Sequence, residues 1–161
     1  MNIREKIEPY FSKGKKYAVM GVGSELRNDD AAGMIFACEL ETLIKSDRLL
    51  VIGGGSAPEN FTGVIKEFKP DILFIVDAAF MGLETGEISL LDSKQIEGIS
   101  FSTHMLPLPL MLDYLKTEAG CETVIIGIQP ENTGQGLEVC EAVRRGAVEL
   151  AQIFASLLQS L

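Results

Sequence analysis

This chain of 161 residues is short of several residue types that carry chemistry, and each shortage closes a class of function. It has one histidine, His104, which excludes the common zinc sites built from two or three imidazoles. Its three cysteines, Cys38, Cys121 and Cys140, are odd in number and form no Cys-x-x-Cys pair. That excludes a disulfide framework and a thiolate metal site, and it points to a reducing compartment. Cations are the minority charge, 14 Lys and Arg against 23 Asp and Glu, for a net charge of -9. Such a surface repels phosphate backbones and anionic lipid, and no basic cluster offsets it. Neither nucleic acid nor a membrane is an expected partner. No apolar run approaches the ~20 residues that cross a bilayer. The stretch from Met1 to Lys16 is charged and has no apolar centre, so a secretory signal is not expected and the cytoplasm is. A Gly-x-Ser-x-Gly elbow is absent, so a serine triad has no support.

What is present is a large apolar fraction, 47%, enough for one core, and the expected organisation is a single domain over residues 1–161. Ile3, Ile7, Tyr10 and Phe11 share one helical face, predicting a short amphipathic helix over residues 2–12, an amino-terminal addition within residues 2–14. Continuous apolar runs at 17–23, 49–52, 72–76, 87–91 and 124–128 predict five strands. Helices are predicted over 31–45, 57–68, from Pro107 to about Glu118, and from Leu137 to Ser160. Ser56 and Glu59 carry the spacing of a capping box for the second of these. Alternation of strand and helix implies a mostly parallel sheet, and runs apolar on both faces imply helices on both sides. The fourth strand follows the third too closely for a helical crossover, so it is expected antiparallel at an edge. The expected fold class is α/β: a three-layer αβα sandwich around a mostly parallel, five-stranded twisted sheet with one antiparallel edge strand. Cys38 and Cys140 are expected at core positions on helices, and Cys121 at the start of a strand.

In open α/β sheets, ligands bind beyond the carboxyl ends of the strands. The residues there are Asp29 and Asp30 after the first strand, three glycines (Gly53, Gly54, Gly55) after the second and Asp77 after the third. His104 lies between the fourth strand and its helix, and Gln129 and Glu131 follow the fifth. Carboxylates with one imidazole can hold a divalent ion and leave positions open for water or substrate. The plain alternative is that Asp29 or Asp30 caps the helix beginning at Ala31, and that His104 is an ordinary polar residue. Gly21-Val22-Gly23 does not make a dinucleotide fingerprint, because Leu26 stands at the third glycine position. Its simpler meaning is a turn where the backbone passes close to something.

Several motifs, in order and at matching spacing, resemble one family. Gly21-Val-Gly-Ser-Glu-Leu-Arg-Asn-Asp-Asp-Ala-Ala-Gly33 is similar to the first-loop signature of the [NiFe]-hydrogenase maturation proteases. Gly54-Gly-Ser-Ala-Pro-Glu-Asn60, Val76-Asp-Ala78, Gly86-Glu-Ile88, Ser102-Thr-His-Met-Leu-Pro107 and Gly127-Ile-Gln-Pro130 resemble the subgroup that processes hydrogenase-3-like, energy-converting enzymes. The resemblance covers about residues 17 to 155. It implies an endopeptidase that removes the carboxyl-terminal extension of a large-subunit precursor after nickel insertion. It places the catalytic and metal-contacting roles on Asp30, Asp77 and His104. It implies that nickel arrives with the substrate, with another divalent cation as a stand-in in vitro; a monomer is expected. The family usually has aspartate where Gly53 stands, and often asparagine where Ser24 stands. The missing acid motivates a second reading, a checkpoint chaperone that binds the nickel-loaded large subunit without cutting. A third, a metallohydrolase with its own zinc or manganese, has few imidazoles to draw on.

Overall fold

The computed structural model describes residues 1–98, 100–101 and 108–161. The chain opens with α1 (Ile3–Ile7), extended by a 3-10 turn over Glu8–Tyr10, and enters β1 (Tyr17–Val22). A 3-10 turn over Asn28–Ala31 leads into α2 (Ala32–Leu43), which is followed by β2 (Leu49–Gly55). A further turn, Pro58–Phe61, feeds α3 (Thr62–Phe68), and then come β3 (Ile72–Phe80) and β4 (Ile88–Leu91). The remaining elements are α4 (Ser93–Gly98), β5 (Ser100–Phe101), α5 (Leu108–Ala119), β6 (Glu122–Ile128) and α6 (Glu141–Gln159).

The main sheet runs in the order β2-β1-β3-β6-β4. The first three pairings are parallel and β4 lies antiparallel to β6, so the predicted edge strand is where the short connection put it. Each strand of the centre is a buried run because both faces are covered. Along β3, Ile72, Phe74, Val76 and Ala78 face α2 and α6, whereas Leu73, Ile75 and Ala79 face α3 and α5. This is the predicted three-layer sandwich.

Phe74 is the hub of the α2/α6 side. Phe154 of α6 meets it edge-on at 4.9 Å, and Phe11 stacks on it at 5.3 Å. Ring pairs of this kind add about 0.5–1.5 kcal/mol beyond their area burial. They dock the amino-terminal segment on the core. Tyr17 fixes it further, its hydroxyl accepting the Ser12 N–H at 2.7 Å.

Several expectations are corrected. The amino-terminal helix is shorter than residues 2–12, because Pro9 turns its end into a 3-10 turn. Asn2 and Glu5 form a reciprocal capping box there. The box expected at Ser56 and Glu59 does not form; the turn starts one residue later, at Ala57, with no side-chain cap. Asp92 and Gln95 form one instead, with bonds of 2.9 and 2.8 Å, ahead of α4. The last helix begins at Glu141 rather than Leu137, since the Cys140 N–H is already taken by Asp29 at 2.7 Å. Cys38 is exposed, because α2 buries Phe36, Ala37 and Leu40 and turns position 38 outward. Cys140 stands at the N-cap position just before its helix, without a side-chain cap, and is half-buried against the core. Pro107, the predicted opening of α5, lies outside the described residues.

Candidate functional site

A doubly wound sheet opens a crevice where successive connections leave toward opposite faces. Here β1 feeds α2 on one face and β2 feeds α3 on the other, while β3 returns to the far side of β1. The crevice therefore lies between the carboxyl ends of β1 and β3, which pair as far as Gly21 and Val76. Asp30 follows β1, and Asp77 stands one residue past the paired stretch of β3.

Missing side chains position the first loop. A Cβ on Gly21 would sit 2.0 Å from the Gly33 carbonyl oxygen, and one on Gly33 would sit 2.3 Å from that of Val76. Only glycine lets the start of α2 press onto β1 and β3 this closely. Gly23 has φ +130, and a Cβ there would lie 1.9 Å from the Asp30 carbonyl oxygen. The close approach implied by Gly-x-Gly is thus made by the chain's own next helix.

Asp29 and Asp30 are both 1% exposed but face different neighbours. Asp29 Oδ2 accepts the N–H groups of Glu131 at 2.9 Å and Asn132 at 3.0 Å, and its Oδ1 accepts that of Cys140. It ties the loop after β6 and the start of α6 to the loop after β1. Asn28 works beside it in the left-handed region, φ 48, with its Oδ1 accepting the Glu138 N–H at 3.1 Å. Asp30 Oδ2 accepts the Ser24 N–H at 2.8 Å. Ser24 serves here through its backbone, so the bond does not require a particular side chain at that position. Neither aspartate caps α2, whose N-cap is Ala31 without a side-chain bond.

Asp77 is also 1% exposed and is in register with Gly127. By alternation along β3 it faces the α3/α5 side, with Ile75 and Ala79. His104 lies outside the described residues. Phe101 pairs with Ala79, two residues past Asp77, and Leu108 opens α5 on the Asp77 face. Among the described residues no three His, Cys, Asp or Glu side chains form a metal-holding group.

Gln129 and Glu131 take other work. Gln129 Oε1 accepts the N–H groups of Met81 at 2.7 Å and Leu83 at 3.2 Å, which holds the turn before β4. The Glu131 side chain faces solvent. Cys140 has its thiol pushed above the ordinary range by burial, with the Asp29 and Glu131 carboxylates adding to the effect. Gly53 is exposed at the carboxyl end of β2, where a Cβ would meet only the flexible end of Met34, at 3.1 Å.

Position after the first strand singled out the Asp29-Asp30 pair without telling the two apart, and the family resemblance alone chose Asp30. The anchoring roles of Asn28 and Asp29 were not legible. Their one local signal is an Asn-Asp-Asp run after a strand, suited to left-handed backbone and to capping remote N–H groups.

The model of the hydrogenase maturation protease family matches residues 36–156. The hydrogenase 3 maturation protease of Escherichia coli K12 is 42% identical over 114 residues, covering 70% of this chain and 72% of its own. A crystal structure of the [NiFe] hydrogenase maturation protease HycI from Thermococcus kodakarensis superimposes with a TM-score of 0.87 at 36% identity, covering 96% of this chain and 99% of that one. The solution structure of the endopeptidase HycI from E. coli gives a TM-score of 0.75 at 35% identity, covering 85% and 87%. With a family match that spans most of the sheet and relatives this similar over most of their length, the chain belongs to the hydrogenase maturation proteases.

Proposed function

We infer that this endopeptidase removes a carboxyl-terminal extension from the nickel-loaded precursor of a [NiFe]-hydrogenase large subunit. The observation that supports it is the pair of buried carboxylates, Asp30 and Asp77, at the switch point between β1 and β3. Oxygen donors with one imidazole, His104, suit a divalent first-row ion, and two carboxylates balance its charge. In this reading all three residues contact the nickel that the precursor carries. Its charge polarises the scissile carbonyl or activates a water beside it. The metal belongs to the substrate, so another divalent cation at the same donors in vitro is a stand-in. The protease works as a monomer in a reducing cytoplasm, where its three free thiols persist.

The test is intact mass of the precursor after incubation, with and without nickel loaded. Nickel-dependent loss of one defined carboxyl-terminal peptide is expected. Asp30→Ala, Asp77→Ala and His104→Ala should each abolish it while circular dichroism stays native. A folded variant that still trims would overturn that residue's role. The second reading, a non-cutting checkpoint chaperone, draws on Gly53, where the family usually carries an acid. A stable complex with loaded precursor and no mass change would favour it, and recovery of trimming by Gly53→Asp would explain it.

A further inference from the structure

The two outer edges of the sheet differ. α1 lies against β4. At the opposite end, β2 pairs only with β1 among the described residues. Its ladder is set by the Tyr17 N–H donating to the Arg48 carbonyl at 2.8 Å, with Tyr17 in register with Leu49. In a parallel pair each strand turns both backbone groups of alternate residues to the same side. Leu50 and Ile52 therefore face β1, and Val51 and Gly53 direct their N–H and C=O outward, whereas the Leu49 N–H is held by the Ser46 carbonyl at 3.1 Å. A row of this kind is a template for another extended chain. Neither proline nor charge blunts this edge, since Leu-Leu-Val-Ile-Gly-Gly-Gly holds none, and its one irregularity is the register shift past Gly53 at its carboxyl end.

A groove of about 620 Å³ adjoins this edge. Val51, Gly53 and Met34 line its β2 side, and Leu137 and Val139 its far side. Glu25, Glu39 and Glu41 also line it, against one cation, Arg144. The edge leads to the crevice. Gly53 is in register with Gly21, and Gly21 with Val76, the residue before Asp77. Two strand spacings, about 10 Å, separate the β2 backbone from that of β3. The outward backbone row fits an extended peptide, and the acidic lining fits one that carries a basic side chain.

We propose that the β2 edge and its groove hold an extended, basic segment of the precursor, added as a further strand outside β2, while the scissile bond occupies the crevice between Asp30 and Asp77. This rests on the trimming reading above, and the test keeps the two apart. Val51→Pro removes one outward N–H without touching the β1 ladder, and Val51→Ala controls for the lost side chain. Kinetics on the nickel-loaded precursor should show KM about tenfold higher for Val51→Pro than for Val51→Ala, with kcat within about twofold. If Val51→Pro fails to fold, hydrogen exchange carries the test, using the Asp77→Asn chain so that precursor is not consumed. Saturating precursor should slow exchange at the Val51 and Gly53 amides, and leave Leu50 and Ile52, already bonded to β1, unchanged. Equal KM values and unslowed outward amides, with wild-type trimming intact, would overturn the edge proposal alone. Protected outward amides in Asp77→Asn, together with no trimming of the same precursor by the parent chain, would support the edge and overturn the trimming reading. Protection that grows with the concentration of this chain alone would assign the edge to a second copy and overturn the proposal.

Discussion

Asp29→Ala tests whether this residue is the rivet of the carboxyl-end rim. The substitution leaves three backbone N–H groups, those of Glu131, Asn132 and Cys140, without their acceptor. Hydrogen bonds to a charged group contribute about 1.5–3 kcal/mol each. Water reaches these part-buried donors in the variant, so the low end applies, and three bonds sum to about 4.5 kcal/mol. With a urea slope of about 2 kcal/mol per molar, the unfolding midpoint should fall by about 2 M. Asp29→Asn is the sharper comparison. Its amide can turn oxygen toward the Glu131 and Asn132 donors only by turning its NH2 toward the Cys140 N–H. That variant should lose about 2 kcal/mol despite its nearly unchanged shape. Urea melts followed by circular dichroism at neutral pH decide the matter. An Asp29→Ala loss below about 1 kcal/mol, or an Asp29→Asn chain as stable as the parent, would refute the anchoring argument.

Other outcomes are equally specific. Gly21→Ala drives a Cβ to within 2.0 Å of the Gly33 carbonyl, which cannot yield without lifting α2. We expect a cost of about 3 kcal/mol and a Tm lower by about 10 °C in calorimetry; a melt within 3 °C of the parent, by the same scaling, would show that the contact relaxes. Gly53→Asp meets only the flexible tip of Met34 and should alter stability by less than about 1 kcal/mol, checked by the same urea melts. Burial raises the Cys121 thiol above its ordinary range. The folded state thus keeps a proton that the unfolded state releases first. The associated stability is whole below the ordinary thiol value and is lost as pH rises through the folded one. Urea midpoints should fall more steeply above about pH 9 in the parent than in Cys121→Ala. In native protein, Cys38 should react with a thiol reagent well before Cys121.

Much of the fold was legible because the central strands are buried on both sides, so hydrophobic runs alone marked them. The antiparallel edge followed from a connection too short to cross. α4 and β5 were missed for a physical reason: six and two residues carry no periodicity, and only the Asp92-x-x-Gln95 box announced them. The same type of signal misled at Ser56 and Glu59, where the turn began one residue late. At the rim, position along the strands was enough to place Asp29, Asp30 and Asp77 beyond the carboxyl ends of β1 and the β1-paired part of β3. Strand position did not separate Asp30 from Asp29, which only the family resemblance did, because the groups that occupy Asp29 lie more than 100 residues onward. Cys38 was misplaced because one residue on a helix is a turn of about 100°, enough to move a thiol from core to surface.

That long reach also sets an order of events during synthesis. The partners of Asp29 lie 102, 103 and 111 residues downstream, and β1 pairs with a strand that begins at Ile72. Loops this long close slowly, and every closure must precede the contacts that reward it. As the chain leaves the ribosome, Asp30 and Asp77 emerge early, yet the rim around them stays open until residue 140 is free. The rim is therefore closed only after the chain has been made through residue 140, and a chain cut short before that point lacks the anchors of Asp29.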